Sequence, residues 1–304
     1  MKQQTTISQS KFLSLVYHDL FDFPLTSDEL NFWQVGNDSK PVHKIKTSGP
    51  LFFLPGRQEI VLKRVVASRE AEHKYAIAAR AANILKKIPT IEFVGITGGL
   101  AMGNVQEEDD VDLIIITTQG ALWITRLLCL WYLKIKKVPV RRFGEKDVKD
   151  KICLNLWLDR DNLSLEGREE IYTAHELLQT RTLFDRGGVF TSFLDNNRWA
   201  SKFFPQAFIY TFQESRKMIE EGRGTRRLFF LKLISMFELL ARIAQLRYMR
   251  NKKSREIVEK GRAMLHPGNW NEFIPQVFLA RLEQMSKGKK ADLTTRISEY
   301  KEAS

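Results

Sequence analysis

Two aspartates one residue apart, Asp110 and Asp112, are the side chains of this chain best placed to do chemistry. They stand at the start of an apolar segment, residues 111–116, which is short, rich in Ile and Val and bounded by turn residues, and therefore predicts a strand. On a strand, residues two apart point to the same face, about 7 Å from each other. Two carboxylates on one face can together bind a hard cation such as Mg²⁺, whose preferred ligands are oxygens.

A glycine pair precedes these aspartates, just after another apolar segment, residues 91–96. Because they lack side chains, Gly98 and Gly99 would let a phosphate chain approach the main-chain N–H groups, and a helix that starts there would add a favourable dipole. Metal ligands beside a phosphate-binding turn imply phosphoryl or nucleotidyl transfer. The alternative is that the acidic residues 107–110 form a solvated turn and the glycines a tight bend, since short motifs give false positives.

The order of these features resembles the DNA polymerase beta-like nucleotidyltransferase superfamily. Its signature is an apolar strand, a Gly-Ser or Gly-Gly pair and, after a gap, Asp-x-Asp or Asp-x-Glu inside a second apolar strand. The matching positions here are Gly98, Gly99, Asp110 and Asp112, and Gly103 matches the small-residue helix that commonly follows the glycines. The resemblance implies that the aspartates bind two Mg²⁺ (or Mn²⁺) ions, which hold a nucleoside triphosphate whose phosphates lie on the glycine backbone.

The resemblance also implies a third carboxylate on a later strand, which helps to activate the attacking hydroxyl, and here the sequence departs from the family pattern. Residues 151–159 predict that strand, and strict alternation places four of its side chains on one face: Cys153, Asn155, Trp157 and Asp159. Asn155 stands near the position of the expected acid, but an amide cannot act as a base. We assign the role to Asp159 at the far end of the strand, with Asp147 and Asp150 as alternatives before it.

Composition limits the class of protein. The chain has 304 residues, 43% of them hydrophobic, so it can form the core of one large domain or of a few small ones and is not expected to be disordered. A formal net charge of +12 favours a polyanionic partner such as nucleic acid, nucleotide or a membrane surface, although general solubility explains it as well.

The cysteines and the apolar segments bear on where the protein is found. The two cysteines lie far apart and show no metal-ligand spacing, and the first ten residues lack an apolar signal core, so we predict a reduced, cytoplasmic protein. Two long apolar segments, within residues 121–138 and 228–248, are interrupted by charged residues. We therefore predict that neither crosses a membrane.

Residues 1–65 resemble a winged-helix unit. Thr26 and the glutamate three residues later form a capping-box pattern at the start of a second helix. Apolar residues 51–54, a Pro-Gly turn and residues 59–62 predict a two-stranded hairpin. A version that recognises DNA needs another helix between the second helix and the hairpin, but the available residues 37–49 are few and contain proline and glycine. A docking or lid role is therefore favoured over base-specific recognition.

The remainder of the chain divides by its pattern. Residues 66–190 alternate between predicted helices and strands, which suits a mixed sheet backed by helices, whereas residues 191–304 predict a wholly helical domain from about residue 196. Between residues 213 and 262 there are 14 Lys and Arg and 6 Asp and Glu, so +8 of the total +12 lies there. Such a basic face could bind RNA or another polyanionic acceptor. The predicted fold is α+β: a small mixed-sheet nucleotidyltransferase core with an N-terminal winged-helix-like unit and a C-terminal helical domain.

The resemblance extends beyond the site. Four further segments look like a group of uncharacterised bacterial and archaeal nucleotidyltransferase-domain proteins: YHDLFDFPLTSDEL (residues 17–30), NLWLDRDNL (155–163), YTAHELLQ (172–179) and HPGNW (266–270). His175, in the third of them, is interpreted as a structural residue of a helix predicted over residues 163–179.

The reaction implied is metal-dependent transfer of a nucleoside monophosphate from an NTP to an acceptor hydroxyl, with release of pyrophosphate. One alternative is a catalytically degenerate module of the same fold that binds nucleotide or nucleic acid without turnover, for which Asn155 is the best argument. The other is a winged-helix regulator. The acceptor, the preferred base and the oligomeric state are not specified by the sequence.

Overall fold

The computed structural model describes residues 2–217, 225–250, 257–265 and 269–286. These residues form a mixed helix and strand structure with two separate sheets. The strands are β1 (Lys2–Ser8), β2 (Leu25–Thr26), β3 (Pro41–Ser48), β4 (Leu51–Phe53), β5 (Ile91–Ile96), β6 (Val111–Thr117), β7 (Ile152–Asp159), β8 (Arg181–Asp185), β9 (Ile257–Val258) and β10 (Arg262–Met264).

Helices cover both sheets. They are α1 (Gln9–Asp19), α2 (Ser27–Phe32), α3 (Glu59–Leu85), α4 (Gly98–Met102), α5 (Leu122–Ile135), α6 (Ile171–Gln179), α7 (Val189–Asp195), α8 (Pro205–Ser215), α9 (Thr225–Met249) and α10 (Trp270–Ser286), with a 3-10 helix at Arg198–Lys202. Within the described ranges, no helix is both long enough and apolar enough to cross a membrane.

The N-terminal sheet has the strand order β1-β3-β4-β2. The predicted capping box is confirmed at the start of α2, where the Thr26 hydroxyl accepts from the Glu29 N–H and the Glu29 carboxylate accepts from the Thr26 N–H. The predicted hairpin is wrong in its second strand. β3 and β4 form the hairpin, whereas residues 59–62 begin the 27-residue helix α3, where Ile60 is buried. The packing of this long helix therefore outweighs the strand propensity of the β-branched residues at its start.

The N-terminal unit packs on the rest of the chain instead of presenting a helix for DNA. Residues 33–40, between α2 and β3, form no helix, so the recognition helix that a DNA-reading winged helix requires is missing from this described segment. The apolar side of α1, which includes Leu15 and Tyr17, joins a buried cluster with Leu177 of α6 and Phe278 of α10. The docking or lid role stays a prediction, and the structure gives no support to the regulator alternative.

The core sheet is mixed, as the sequence predicts, with the strand order β8-β5-β6-β7-β10-β9. β5 runs antiparallel to β6 and β8, whereas β6 and β7 are parallel and are connected through α5. Helices α3 and α5 cover one face, and α6, α7 and α10 cover the other. Because both faces are buried, β6 is apolar along nearly its whole length after its first residues.

The prediction of a wholly helical C-terminal region is wrong for residues 257–265. They contain β9 and β10, and β10 pairs antiparallel with β7 at the edge of the core sheet. α9 packs against α5, and the Glu238 carboxylate accepts the main-chain N–H groups of Trp123 and Ile124 in its first turn. The division into residues 1–65, 66–190 and 191–304 stays a prediction, but the second and third of these units share one sheet.

Candidate functional site

The glycine pair and the aspartate pair meet at one end of the core sheet. Gly98 follows β5 and Asp110 precedes β6, and the antiparallel pairing of these strands brings the end of one beside the start of the other. The Thr97 N–H donates to the main-chain carbonyl of Asp112 at 3.1 Å. The two motifs that the sequence places close together are therefore neighbours in the structure.

Both glycines are required by the local packing. Gly98 has φ +65°, a conformation that residues with a side chain rarely adopt, and a Cβ built on it would lie 2.7 Å from Asp112 Oδ2. A Cβ on Gly99 would lie 2.5 Å from the carbonyl oxygen of Asn104. Any side chain at Gly98 would therefore displace the Asp112 carboxylate, so bare backbone and carboxylate are in direct contact.

The helix after the glycines is short. α4 has five residues, so its dipole adds little, and the main-chain N–H groups are what this turn can offer to an anion. Gly103, with φ +69°, ends the helix, and a Cβ there would lie 3.5 Å from the Tyr75 hydroxyl of α3. Gly103 thus lies at the opposite end of α4 from Gly98 and shapes the turn.

The aspartates crowd negative charge in a half-buried position. One carboxylate oxygen from each of Asp110 and Asp112 and the Sγ of Cys153 lie within 4.8 Å of one another. Burial raises the pKa of Asp112 well above its ordinary value, and the charge of Asp110 raises it further. Burial and both carboxylates raise the pKa of the Cys153 thiol as well. Arg141 partly offsets this charge, because its Nη1 donates to Asp110 Oδ2 at 2.9 Å.

Asn155 provides the closest side-chain partner of Asp112. Its Nδ2 donates to Asp112 Oδ1 at 2.7 Å, whereas its Oδ1 is buried and accepts no hydrogen bond. A buried acceptor without a partner costs free energy, and such a group calls for an explanation in a folded protein. That oxygen is turned away from Asp112, because the amide nitrogen faces the carboxylate. The carboxylate oxygens of Asp110 and Asp112 are therefore the donors here that fit a hard cation.

The structure does not bring Asp159 to the aspartate pair. In the parallel register of β6 and β7, Asp112 lies opposite Cys153, whereas Thr117 lies opposite Asp159, roughly 16 Å farther along the sheet. The Asp159 carboxylate accepts instead from groups of the turns around it. The donors are the Asp161 N–H at 3.1 Å, Asn162 Nδ2 at 2.6 Å and the Gly120 N–H at 3.4 Å. Its assignment as the third site carboxylate is therefore corrected: Asp159 holds turns at the other end of β7.

The predicted alternation along β7 also fails. Asp112 pairs with Cys153 but Ile114 pairs with Leu156, so β7 has one more residue than β6 between these pairs, which is a β-bulge. Beyond it, Trp157 belongs to the apolar cluster under α3 and α5, on the face opposite to that of Ile114. Only the part of the strand before Leu156 therefore faces the aspartates.

The two other candidate acids, Asp150 and Asp147, are not part of the cluster that Asp110 and Asp112 form. Asp150 forms an ion pair with Lys74 at 2.9 Å and is within hydrogen-bond distance of the His73 imidazole at 3.2 Å, both on α3. The fully buried Lys74 also donates to the main-chain carbonyls of the acidic turn, residues 107–110, and holds that turn in place. Asp147 lies in the loop before β7, where its main-chain carbonyl accepts from a lysine side chain.

A carboxylate that the sequence interpretation did not assign lies against the glycine turn. Glu176 of α6 accepts from the Gly98 N–H, from the Thr97 hydroxyl at 3.3 Å and from the side-chain amide of Gln179. Gln179 also donates to the Gly98 carbonyl at 3.3 Å. Burial raises the pKa of Glu176 to about 7, although these hydrogen bonds oppose the shift. The sequence gives no local signal for this contact, because it depends on α6 packing against α4.

His175 has a structural role, and parts of the predicted basic region lie outside the residues that the structure describes. His175 is buried, and its Nε2 lies 3.2 Å from Nε2 of His18 in α1, as expected for a residue that joins two elements. Burial lowers the pKa of both imidazoles, that of His18 to about 4. The side chains of Arg226 and Arg227 and residues 251–256 of the basic region lie outside those that the structure describes, as do residues 266–268.

Comparison with known proteins adds no assignment to this geometry. No family model matches the chain, and no curated protein or solved structure matches it.

Proposed function

We propose that this protein is a metal-dependent nucleotidyltransferase, which moves a nucleoside monophosphate from an NTP to an acceptor hydroxyl and releases pyrophosphate. The observation that carries the proposal is the contact between bare backbone and carboxylate, where a Cβ on Gly98 would lie 2.7 Å from Asp112 Oδ2. A phosphate chain can reach main-chain N–H groups there, beside oxygen ligands for the cations that accompany phosphates. The resemblance to the nucleotidyltransferase signature agrees with this interpretation.

The residues of the chain take distinct roles in this proposal. Asp110 and Asp112 would hold Mg²⁺ or Mn²⁺ through their carboxylate oxygens, one from each lying within 4.8 Å of the other. When bound, such ions would supply charge stabilisation to the attacking and leaving oxygens of an in-line displacement. The main chain at Gly98 and Gly99 binds the β- and γ-phosphates and keeps them in line with the acceptor.

Glu176 must give way before phosphate can bind. Its carboxylate accepts from the Gly98 N–H, which is the donor that we assign to phosphate. Two anions cannot share one donor without strong repulsion. Substrate binding is therefore coupled to rotation of the Glu176 side chain or to its protonation, and the pKa near 7 makes protonation inexpensive at neutral pH.

The lack of a β7 carboxylate beside Asp110 and Asp112 favours a second candidate function. The strand beside Asp112 carries the thiol of Cys153 and the amide of Asn155, and its own carboxylate, Asp159, lies at the far end. With no carboxylate of β7 beside the pair to accept the proton of the attacking hydroxyl, the site suits a degenerate module that binds a nucleotide without transferring it. Binding and turnover must therefore be measured separately.

The deciding experiment incubates the purified protein with each NTP labelled at the α-phosphate, with Mg²⁺ or Mn²⁺, and with cellular RNA, protein or metabolites as acceptors. The proposal expects label in one acceptor class and release of pyrophosphate. The matched control is Asp147→Asn, which removes a loop acid outside the site and should transfer normally. Metal-dependent nucleotide binding without transfer to any acceptor would select the module, and the absence of both would contradict both candidates.

A further inference from the structure

The outward sides of α5 and α9 concentrate the exposed apolar side chains of the protein. In the part of the chain that the structure describes, fifteen large apolar side chains are exposed, and eight of them lie on these two helices. Single exposed apolar residues are normal, but a group of them marks an interaction surface. We call this group the α5–α9 face; it consists of Leu127, Trp131, Ile135, Phe237, Leu239, Leu240, Ile243 and Tyr248.

The two helices form one surface because they pack against each other. Gln245 of α9 accepts a hydrogen bond from Arg126 Nη1 at 2.6 Å and donates to the Trp123 carbonyl at 2.7 Å. The side of α9 that faces α5 carries Gln245 and two other buried residues at four-residue spacing, Ala241 and Met249. The exposed residues of α9 lie on its opposite side. The three of α5 also recur every four residues, so they form one ridge beside α9.

Helix α9 is apolar on both of its sides, although α5 covers only one of them. A helix that is apolar all round is normally buried all round. On the outward side, Leu240 is 63% exposed and Ile243 is 54% exposed, whereas Ala241 on the inward side is 5% exposed. The outward side of α9 therefore fits contact with a second surface.

The charge around the α5–α9 face has one sign. Residues 121–142 contain six Lys and Arg and no Asp or Glu, and residues 225–250 contain six Lys and Arg and one acid, Glu238. Glu238 is turned towards α5, where it accepts two main-chain N–H groups. No exposed residue of α5, or of α9 from residue 237 onwards, is acidic. The exposed basic residues beside the face are Lys134, Lys136, Lys137, Arg247 and Arg250. A partner that complements this face must therefore combine apolar groups with negative charge.

We propose that the α5–α9 face binds the surface of an anionic phospholipid bilayer, with both helices lying in the interface and neither crossing it. A bilayer offers phosphate and carboxylate groups to Lys and Arg, and acyl chains directly beneath them to Leu, Ile and Phe. The exposed Trp131 has the amphipathic ring that is typical of membrane interfaces. The inference does not depend on the proposed reaction, because none of these residues belongs to the aspartate site.

Two other occupants fit the face less well. A second copy of the chain would bring two basic surfaces together, and like charges across an interface disfavour association. Nucleic acid would satisfy the positive charge, but its interfaces are polar and would leave the exposed side chains of Leu239, Leu240 and Ile243 without apolar contacts. The bilayer complements both properties of the face.

The test is co-sedimentation of the full chain with vesicles of phosphatidylcholine alone or of phosphatidylcholine mixed with phosphatidylserine. The parent should bind the mixed vesicles, bind neutral ones much more weakly, and lose affinity as salt rises. Leu240→Gln with Ile243→Gln keeps the net charge and should weaken binding roughly tenfold or more. The matched control is Leu62→Gln with Val66→Gln, which alters two exposed apolar residues of α3 and should bind like the parent.

Two further measurements locate the contact. Arg247→Gln with Arg250→Gln should weaken binding to the mixed vesicles roughly tenfold at low salt. Vesicles with brominated acyl chains should quench tryptophan fluorescence in the parent. Trp131→Phe should still bind but lose most of this quenching, which places that side chain at the bilayer. Circular dichroism checks that each variant is folded.

The other outcomes overturn the proposal. Equal binding to neutral vesicles would remove the role of charge, and binding that Leu240→Gln with Ile243→Gln leaves unchanged would remove the role of this face. Light scattering that shows a dimer which the same variant abolishes, without vesicle binding, would assign the face to a second copy. RNA binding without vesicle binding, weakened by the change of Arg247 and Arg250 alone, would assign the charge to nucleic acid. Nucleotide transfer should stay at the parent level in all these variants, so failure of the proposed reaction and failure of this inference are distinguishable.

Discussion

The two ends of the β6–β7 pair place carboxylates in opposite conditions. At one end, Asp159 accepts three hydrogen bonds from neutral donors of neighbouring turns and lies in a buried, satisfied setting. At the other end, Asp112 lies beside the like charge of Asp110, against bare backbone at Gly98 and next to an amide whose oxygen has no hydrogen bond. The sequence alone makes both side chains candidates for the site.

The difference teaches how a structural acid can be separated from a candidate ligand. A carboxylate whose acceptor sites are filled by local donors stabilises the fold and has little left to offer a substrate. A carboxylate held beside another charge, with its pKa raised by burial, stores unfavourable energy that a bound cation would relieve.

The largest effect is expected from the double change Asp110→Asn with Asp112→Asn. The repulsion and the ligands are removed together, so the variant should be as stable as the parent or slightly more so, with no metal-dependent rise in melting temperature and no transfer. Thermal unfolding with and without Mn²⁺ and NTP measures this. A parent whose melting is indifferent to metal and NTP together would count against the site.

Asp159→Asn should give the converse result. The amide cannot accept all three hydrogen bonds without turning its NH₂ towards other donors, and the free energy of unfolding should fall by about 1–3 kcal/mol. The metal-dependent rise in melting temperature should remain, because the residue lies roughly 16 Å along the strand from Asp112. Urea unfolding and metal titration provide the two readouts. Normal stability with a lost metal response would show that Asp159 is a ligand and not a structural acid.

Glu176→Gln tests whether the Glu176 carboxylate competes with phosphate at Gly98, at the Asp112 end of the β6–β7 pair. A triphosphate at Gly98 would be repelled by a carboxylate about 4 Å away, and that repulsion amounts to about 1 kcal/mol in water and more in a partly buried site. The variant should therefore bind a non-hydrolysable NTP with Mn²⁺ about tenfold more tightly in calorimetric titration. Glu166→Gln, which alters an exposed glutamate before α6, is the matched control. Weaker binding by Glu176→Gln would show that the carboxylate assists the nucleotide instead of competing with it.

The sequence predicts the parts of this site that depend on short-range order. The glycine pair, the Asp pair and their two strands lie within one antiparallel hairpin-like pairing, so spacing and hydrophobic pattern are enough to find them. The capping box at Thr26 and the helix after β6 are local in the same sense. The mixed α and β class follows from these elements, whereas membership of the nucleotidyltransferase superfamily stays a prediction.

The features that the sequence interpretation misses depend on distant partners. The bulge in β7 arises from its register against β6 and overturns the alternation that assigned Asp159. β10 is too short to predict alone and forms because β7 offers a free edge. Glu176 reaches Gly98 only because α6 folds against α4, and no spacing rule links residues this far apart in the chain.

The smallest expected effect is a pH dependence of stability that arises from Glu176, at the Asp112 end of the β6–β7 pair. Burial raises the pKa of Glu176 from its ordinary value of 4.5 to about 7, so between those values the folded state holds a proton that the unfolded state releases. The free energy of unfolding therefore falls as pH rises through this window, and Glu176→Gln removes that loss. The variant should match the parent near pH 5 and melt at a higher temperature near pH 8. Other groups with shifted pKa values, among them His18 and His175, are common to both proteins and cancel in the difference. Exposed Glu166 should show no such divergence when changed to Gln, and a Glu176→Gln difference that is equal at both pH values would mean that this carboxylate is not held as the structure places it.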